Sequence, residues 1–263
     1  MLLTSLLNVV TSTTLSITVQ FSYWFVFGFA CCYLIWVLSG IVLPSLSSAY
    51  AKHFSPSQRA ETKSRIVSFV HAYFLFFFVV YLLFIEPTKA LPSDHANGFP
   101  SAAPMYGIST GYFIFDLFAM IIVGKPLFGM EFVAHHIICI FGWTYLVLTK
   151  NGIFYPTFQS LCEATNLFVS LHWFYSHAPG WKGSRAFVVN GFVLWLSFLV
   201  FRMSLLFYTA YLIYSEFPFN DLHWFNLGFI ALASFVLNGL NCLWFWKITK
   251  GLLKHILKKR KTA

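Results

Sequence analysis

Charged residues are scarce in this chain. Asp, Glu, Lys and Arg together make up 10% of its 263 residues, whereas an ordinary soluble chain carries about 25%. Apolar residues reach 59%, and the mean hydropathy is +0.73. These values exclude a soluble globular protein and predict a chain that lies mostly within a membrane.

The sequence also lacks the cysteine spacing of a disulfide scaffold or a zinc site. Its five cysteines all lie within apolar runs, and no Cys-x-x-Cys pair occurs. Such cysteines behave as small buried hydrophobic residues. The N-terminus has no basic segment of the kind that opens a secretory signal peptide. We therefore expect the first apolar helix to act as an uncleaved membrane signal.

Long apolar runs separated by polar turns are the dominant pattern. Each run approaches or exceeds the roughly 20 residues that an α-helix needs to cross the hydrocarbon core. The pattern predicts an all-α polytopic membrane protein with about seven transmembrane helices. The predicted spans cover residues 21–43, 66–85, 107–123, 130–149, 153–176, 186–214 and 224–248.

The basic residues favour one orientation of these spans. With the loop after the first span in the cytosol, the cytosolic segments carry 14 Lys and Arg, and the other side carries only Lys89 and Lys150. The remaining basic residue, Arg202, lies inside the sixth span. The positive-inside rule then predicts a lumenal N-terminus and a cytosolic C-terminus. The net charge of +9 lies beside anionic lipid in this layout, so no nucleic-acid partner is indicated.

Ionisable side chains within the predicted spans are candidate functional residues, because a charge in hydrocarbon is costly. They are Asp116, Glu131, His135, His136, Glu163, His172 and Arg202. On a helix, Glu131 and His135 share a face, as do Glu163 and Asn166. The rings of His135 and His136 should point about 100° apart. One of the two can therefore face an interior cavity while the other meets a neighbouring helix.

Several of these residues also have a purely structural interpretation. Arg202 can simply neutralise Asp116 or Glu163, and His172 beside Trp173 fits a packed or interfacial histidine. Asn190, Asn238 and Asn241 fit hydrogen bonds between helices. We expect no metal site, because Glu-x-x-x-His-His differs from the zinc-protease motif His-Glu-x-x-His, and adjacent histidines cannot easily bind one ion from one helical face.

One spacing identifies a resemblance. Glu163 and Asn166 follow His136 by 27 and 30 residues, the spacing at which ceramide synthases carry two aspartates after their His-His pair. The segments 64–68 and 145–152, together with Gly111-Tyr112 and Asp116, add to this resemblance. Over residues 59–255 the chain resembles the TLC domain family, which includes ceramide synthases and TRAM-type proteins, and within it the TLC domain-containing protein 4 branch. It departs from the synthase pattern at Glu163, Asn166 and Cys162, which replace two aspartates and a histidine.

The resemblance implies an architecture and a site. Spans two to seven would form a helical barrel, with the first span peripheral. The chain would comprise an N-terminal segment with the first span and a basic loop (1–58), the TLC domain (59–255) and a basic cytosolic tail (256–263). The resemblance places His135, His136 and Glu163 as catalytic candidates. We expect Asp116, Asn166, Arg202 and His172 to bind the substrate.

Three functions follow as hypotheses. The first is a lipid-homeostasis protein of the endoplasmic reticulum that binds or modifies a lipid in a cavity lined by the His pair. The second is an acyl-CoA-dependent acyltransferase of the ceramide-synthase type, with His135 or His136 as base, acyl-CoA as co-substrate and no bound cofactor. The third is a non-catalytic lipid sensor, chaperone or trafficking factor. Membrane lipids are the expected partners in all three.

The C-terminus carries a localisation pattern. Residues 259–263 read Lys-Arg-Lys-Thr-Ala, which fits the Lys-x-Lys-x-x form of a cytosolic retrieval signal for the endoplasmic reticulum. A basic cluster that stops membrane transfer is the alternative interpretation.

Overall fold

The computed structural model describes residues 17–85, 102–125, 127–149, 154–216 and 224–262, and within these ranges the regular structure is entirely helical. Nine α-helices occur there: α1 Ile17–Leu46, α2 Pro56–Phe84, α3 Ala103–Val123, α4 Met130–Thr149, α5 Phe154–Gln159, α6 Asn166–His177, α7 Arg185–Phe198, α8 Leu205–Glu216 and α9 Trp224–Thr262. Three segments are wound differently: π-helical turns at Ala49–His53 and Leu199–Ser204, and a 3₁₀ segment at Ser160–Thr165.

Five helical stretches in the described residues are long and apolar enough to cross a membrane. They are Thr18–Leu46, Pro56–Phe84, Ala103–Val123, Arg185–Ser215 and Gly228–Lys254. These stretches correspond to the first, second, third, sixth and seventh predicted spans, so the prediction of an all-α polytopic membrane protein is confirmed. The fourth predicted span is the 20-residue helix α4. The fifth is divided into α5, the 3₁₀ segment and α6, and the total of seven spans stays a prediction.

The segment after the first span differs from the prediction of a basic loop. Helix α1 continues through Pro44 to Leu46, the π turn follows, and α2 begins ten residues before the predicted start of the second span. Ser55 and Gln58 form a capping box that explains this start: the Gln58 amide donates to Ser55 Oγ (3.3 Å), and the Ser55 amide donates to Gln58 Oε1 (2.9 Å). The loop predicted up to Tyr106 is helical from Ala103 onward. Most of the loops predicted at 86–106, 150–152 and 216–221 lies outside the described residues.

Helix α1 packs on α3 through glycines. A Cβ atom added at Gly28 would lie 2.5 Å from the carbonyl oxygen of Ile108, and one at Gly111 would lie 2.5 Å from that of Phe25. Only glycine permits backbones to approach this closely, as in small-x-x-x-small contacts of membrane helices. The other face of α1 is exposed, with Ile41 at 69%. The first span is thus peripheral in position, yet it is held backbone to backbone.

Helices α4 and α9 run in opposite directions. Glu131, near the start of α4, pairs with Lys247 in the second half of α9 (3.1 Å). At the other end of these helices, the rings of Tyr145 and Phe229 lie 4.9 Å apart. Helices α4 and α9 are therefore antiparallel neighbours. We call the end at which α2, α4 and α7 begin and α9 finishes the basic end, because the Lys and Arg residues concentrate there.

Candidate functional site

A cavity of about 450 Å³ lies between α4, α5, the 3₁₀ segment, α8 and α9. This volume lies within the range of small-molecule sites in proteins. Its lining divides into two parts. Polar side chains form one part: His135, Cys139, Cys162, Glu163, Arg202 and Asn241. Apolar side chains dominate the other part: Leu206, Ile213, Phe229, Ile230, Ala233 and Leu237.

The polar part is built on the two irregular segments that face each other near the middle of the bundle. The 3₁₀ segment presents Cys162 and Glu163, and the π turn Leu199–Ser204 presents Arg202. Short π-helical insertions are frequent at functional sites, because they re-aim a side chain within an otherwise continuous helix. Here the π turn falls within the sixth predicted span and supplies its only charged residue within the membrane.

Arg202 joins three elements. Its Nε donates to Thr165 Oγ1 (2.9 Å), and its Nη1 donates to Asn241 Oδ1 (2.8 Å). Its Nη2 lies 3.9 Å from Glu163 Oε1, and Glu163 Oε2 accepts a hydrogen bond from Asn166 Nδ2 (2.6 Å). Arg202 is 4% exposed and Glu163 is 8% exposed. The buried guanidinium is therefore paired with Glu163, not with Asp116.

The adjacent histidines point in different directions. His135 lines the cavity, and its Nε2 lies 3.8 Å from the sulfur of Cys139. The ring of His136 turns toward α3: its Nε2 lies 3.0 Å from Asp116 Oδ2, and its Nδ1 lies 2.7 Å from the carbonyl oxygen of Phe132. Both nitrogens of His136 thus face oxygen atoms of the protein. The carboxylate that contacts a histidine is Asp116, whereas the carboxylate of Glu163 contacts Asn166 and Arg202.

A polar seam between α2 and α3 extends from this pair. Ser64 Oγ donates to Asp116 Oδ1 (2.9 Å), and one helical repeat further along, His71 Nε2 and Ser109 Oγ lie 3.0 Å apart. Ser64 and His71, like Ser109 and Asp116, are seven residues apart, a spacing that places each pair on one helical face. Sequence reasoning missed His71 and Ser109. The shared seven-residue spacing of polar residues in two successive apolar spans would have indicated them.

The remaining candidates lie away from the cavity's polar part. Glu131 pairs with Lys247 at the basic end instead of approaching His135. His172 stacks on Phe187, with ring centres 4.6 Å apart, and is not among the residues that line the cavity. Asn190 Nδ2 donates to the carbonyl oxygen of Phe168 (3.0 Å), which joins α7 to α6.

Comparison of the sequence with known proteins identifies the family. The sequence profile of the TLC domain matches residues 61–250. The chain belongs to the TLC domain family. Human TLC domain-containing protein 4 is 31% identical over 242 residues, which cover 89% of this chain and 83% of the human protein. TLC domain-containing protein 4-B of Xenopus laevis is 28% identical over 204 residues, 76% of this chain and 77% of its own. That of Danio rerio is 26% identical over 231 residues, 84% and 85%. No solved structure matches.

The cavity lies wholly within the matched part of this TLC domain protein. Its lining runs from Phe113 to Asn241, and the polar seam from Ser64 to His136 is also included. Helix α1 lies outside the matched residues, although its glycine contacts fasten it to α3.

Proposed function

We propose that this TLC domain protein binds a membrane lipid in the cavity and contributes to lipid homeostasis in the endoplasmic reticulum membrane. One observation carries the proposal: the cavity is amphipathic, with His135, Glu163 and Arg202 at one end and a mostly apolar remainder. A lipid has the same division, with a polar group joined to an acyl chain. Burying that chain contributes about 0.8 kcal/mol per methylene relative to water.

The polar end has the chemistry to hold a lipid's oxygen atoms. Arg202 has five N–H donors, and its hydrogen bonds to Thr165 and Asn241 use two of them. The ring of His135 faces the same space and can donate or accept. In surroundings of low dielectric, these hydrogen bonds are stronger than in water. The polar group of the ligand would therefore lie near the middle of the bundle, with its chain directed away from the basic end.

The test uses Gly142, which lines the cavity on α4. A Cβ atom added there meets no atom within 4 Å, so the side chain of Gly142→Leu would begin in open space and occupy part of the cavity. We expect the purified variant to retain several-fold less lipid than the parent protein, as measured by native mass spectrometry. Gly239→Leu is the matched control, because a Cβ atom at Gly239 also meets nothing and Gly239 does not line the cavity. Equal lipid content in all three proteins would refute the proposal.

A second candidate is transfer of an acyl group from acyl-CoA to a lipid amine or hydroxyl. It is favoured by His135, whose ring lies at the cavity surface where a base could take the acceptor's proton. His136, held between Asp116 and the carbonyl oxygen of Phe132, is not free for that role. The protein in lipid nanodiscs would be incubated with labelled acyl-CoA and a panel of sphingoid and lysolipid acceptors. Product that disappears in a folded His135→Ala variant would establish the transferase. A parent that holds lipid but forms no product would be a binding protein.

A further inference from the structure

We propose that the cavity exchanges its ligand sideways with the bilayer, through an opening between α8 and the first half of α9, and that the acyl chain of a bilayer lipid occupies this opening. The proposal rests on the lipid-binding function proposed above. It adds the route by which the lipid enters and leaves.

The opening arises because hydrogen bonding and ring stacking join α9 to α7, whereas α8 packs mainly on α5. Trp195 of α7 donates from Nε1 to Thr249 Oγ1 (3.0 Å), and its ring stacks on Phe245 with centres 6.0 Å apart. The bond from Arg202 to Asn241 is a further tie between the sixth span and α9, nearer the middle of the bundle. Arg202 lies in the π turn, and beyond this turn the two helices part.

After the π turn, α8 and α9 pack on different neighbours. Thr209 of α8 donates to Gln159 Oε1 of α5 (3.0 Å), and the ring of Tyr208 lies 5.4 Å from that of Phe158. The first half of α9 instead packs on α4, where Phe229 meets Tyr145. Over the described residues 205–216 and 224–238, α8 and α9 make no extended backbone contact, although Ile230 of α9 packs against the cluster of Tyr155 and Leu212. A wedge-shaped gap results, with Arg202 at its narrow end.

Residues on both sides of this gap belong to the cavity wall and to the outer surface at once. Ala210 and Tyr214 of α8 and Ala231 of α9 line the cavity, yet all three are exposed, Tyr214 to 87%. A side chain can be exposed and line a cavity only where the cavity opens. These three residues, which we call the rim, therefore mark the mouth. The rim alanines present the least side-chain bulk to anything that passes between the helices.

The size and chemistry of the gap select its occupant. From Arg202 to Tyr214 the wall is about 18 Å long, at 1.5 Å per helical residue. A further transmembrane helix about 10 Å across would occupy roughly 1,400 Å³ over that length, three times the cavity volume of about 450 Å³. Between the polar part and the rim, the lining is formed mostly by apolar residues, including Leu206, Ile213 and Ile230. An acyl chain fits both the volume and the lining, and the hydrocarbon outside the mouth is its source. The rim lies on the side of Arg202 away from the basic end, so the chain would enter from the bilayer half opposite the basic end.

The test measures the rate of lipid uptake. Protein in phosphatidylcholine nanodiscs is mixed with palmitate that carries a diazirine at its chain end. The samples are irradiated at increasing times after mixing, and the covalent labelling of cavity residues is measured at each time. The double variant Ala210→Trp/Ala231→Trp should take up the probe several-fold more slowly than the parent. The matched control is Leu232→Trp, because Leu232 is 56% exposed on the outer surface of α9 beside the rim and does not line the cavity. Uptake by the double variant at the rate of parent and control would overturn the proposal.

A second variant tests the opposite direction. Tyr214→Ala removes the largest rim side chain from an exposed position, so folding does not depend on it, and uptake should become faster than in the parent. An unchanged rate would count against the rim as the route. Failure of the underlying lipid-binding function gives a different result. In that case the cavity residues of the parent would not be labelled, or they would be labelled equally in Gly142→Leu.

Discussion

The carboxylate of Asp116 lies 3.0 Å from Nε2 of His136, and both residues are at most 5% exposed. The pair joins α3 to α4 and, through Ser64, to α2. The adjacent His135 is excluded from this network and faces the cavity. Two neighbouring residues of one type thus have different surroundings, one within a hydrogen-bonded network and one at the cavity surface.

This division predicts that the two histidines respond oppositely to mutation. His136→Ala removes the partner of a buried carboxylate and should destabilise the protein by about 3–5 kcal/mol. His135→Ala should leave the unfolding temperature nearly unchanged but lower the amount of bound lipid. Thermal unfolding in nanodiscs and native mass spectrometry on the same samples separate the effects. Equal destabilisation by both changes would contradict the assignment.

A second prediction concerns Arg202 and Glu163. Arg202→Met leaves the Glu163 carboxylate buried without its cation, so we expect a loss of about 3–5 kcal/mol. Adding Glu163→Gln removes the orphaned charge and should restore part of that loss, which a double-mutant cycle measures. Lys247→Met breaks the partly exposed pair with Glu131 and should cost less than about 1 kcal/mol. No recovery in the double variant would mean that the 3.9 Å pair does not stabilise the fold.

A third prediction concerns the contact between α1 and α3. Gly111→Val would place its side chain against Phe25 and Phe29, where even a Cβ atom lies 2.5–2.6 Å from backbone atoms. We expect destabilisation of at least about 1–3 kcal/mol from overpacking. Gly142→Ala is the control, because its Cβ atom meets nothing within 4 Å. Crosslinking between cysteines placed on α1 and α3 would show whether the helices separate, and an undiminished crosslink would argue against it.

A fourth prediction addresses localisation. The backbone of α9 is helical to Thr262, and Ala263 lies outside the described residues. If Lys259 and Lys261 form a working retrieval signal, replacing both by serine should let the protein leave the endoplasmic reticulum. A fusion that blocks the C-terminus should act in the same way. Fluorescence microscopy in cells checks both changes, and unchanged localisation would favour a basic cluster that only sets membrane orientation.

The sequence predicted those features that depend on one helix at a time. Apolar run length located the five helical stretches that are long enough to cross a membrane, and the 100° turn between consecutive residues separated His135 from His136. The start of α2 at Pro56 was also readable from Ser55 and Gln58, although the apolar run pointed to a later residue. These features follow from local geometry and composition.

Pairings between helices could not be predicted, because they depend on how the helices rotate and on where they deviate from α geometry. Nothing local in Leu199–Ser204 requires a π turn, yet this turn places Arg202 beside Thr165 and Asn241. The same uncertainty left Asp116 and Glu163 as equal partners for Arg202. In the folded protein Asp116 contacts Ser64 and His136, and Glu163 is the carboxylate that lies beside Arg202.

The glycine contact between α1 and α3 also has a consequence for biosynthesis. The ribosome releases α1 first, and its partner surface on α3 is made only after all of α2 has been inserted. Until then α1 displays Gly28 to lipid tails and has no close backbone partner on that side. The insertion of Gly107 and Gly111 therefore completes the contact between α1 and α3. A protein shortened to its TLC domain would carry this groove unfilled, and the helix that holds Asp116 would lose its most extensive packing partner.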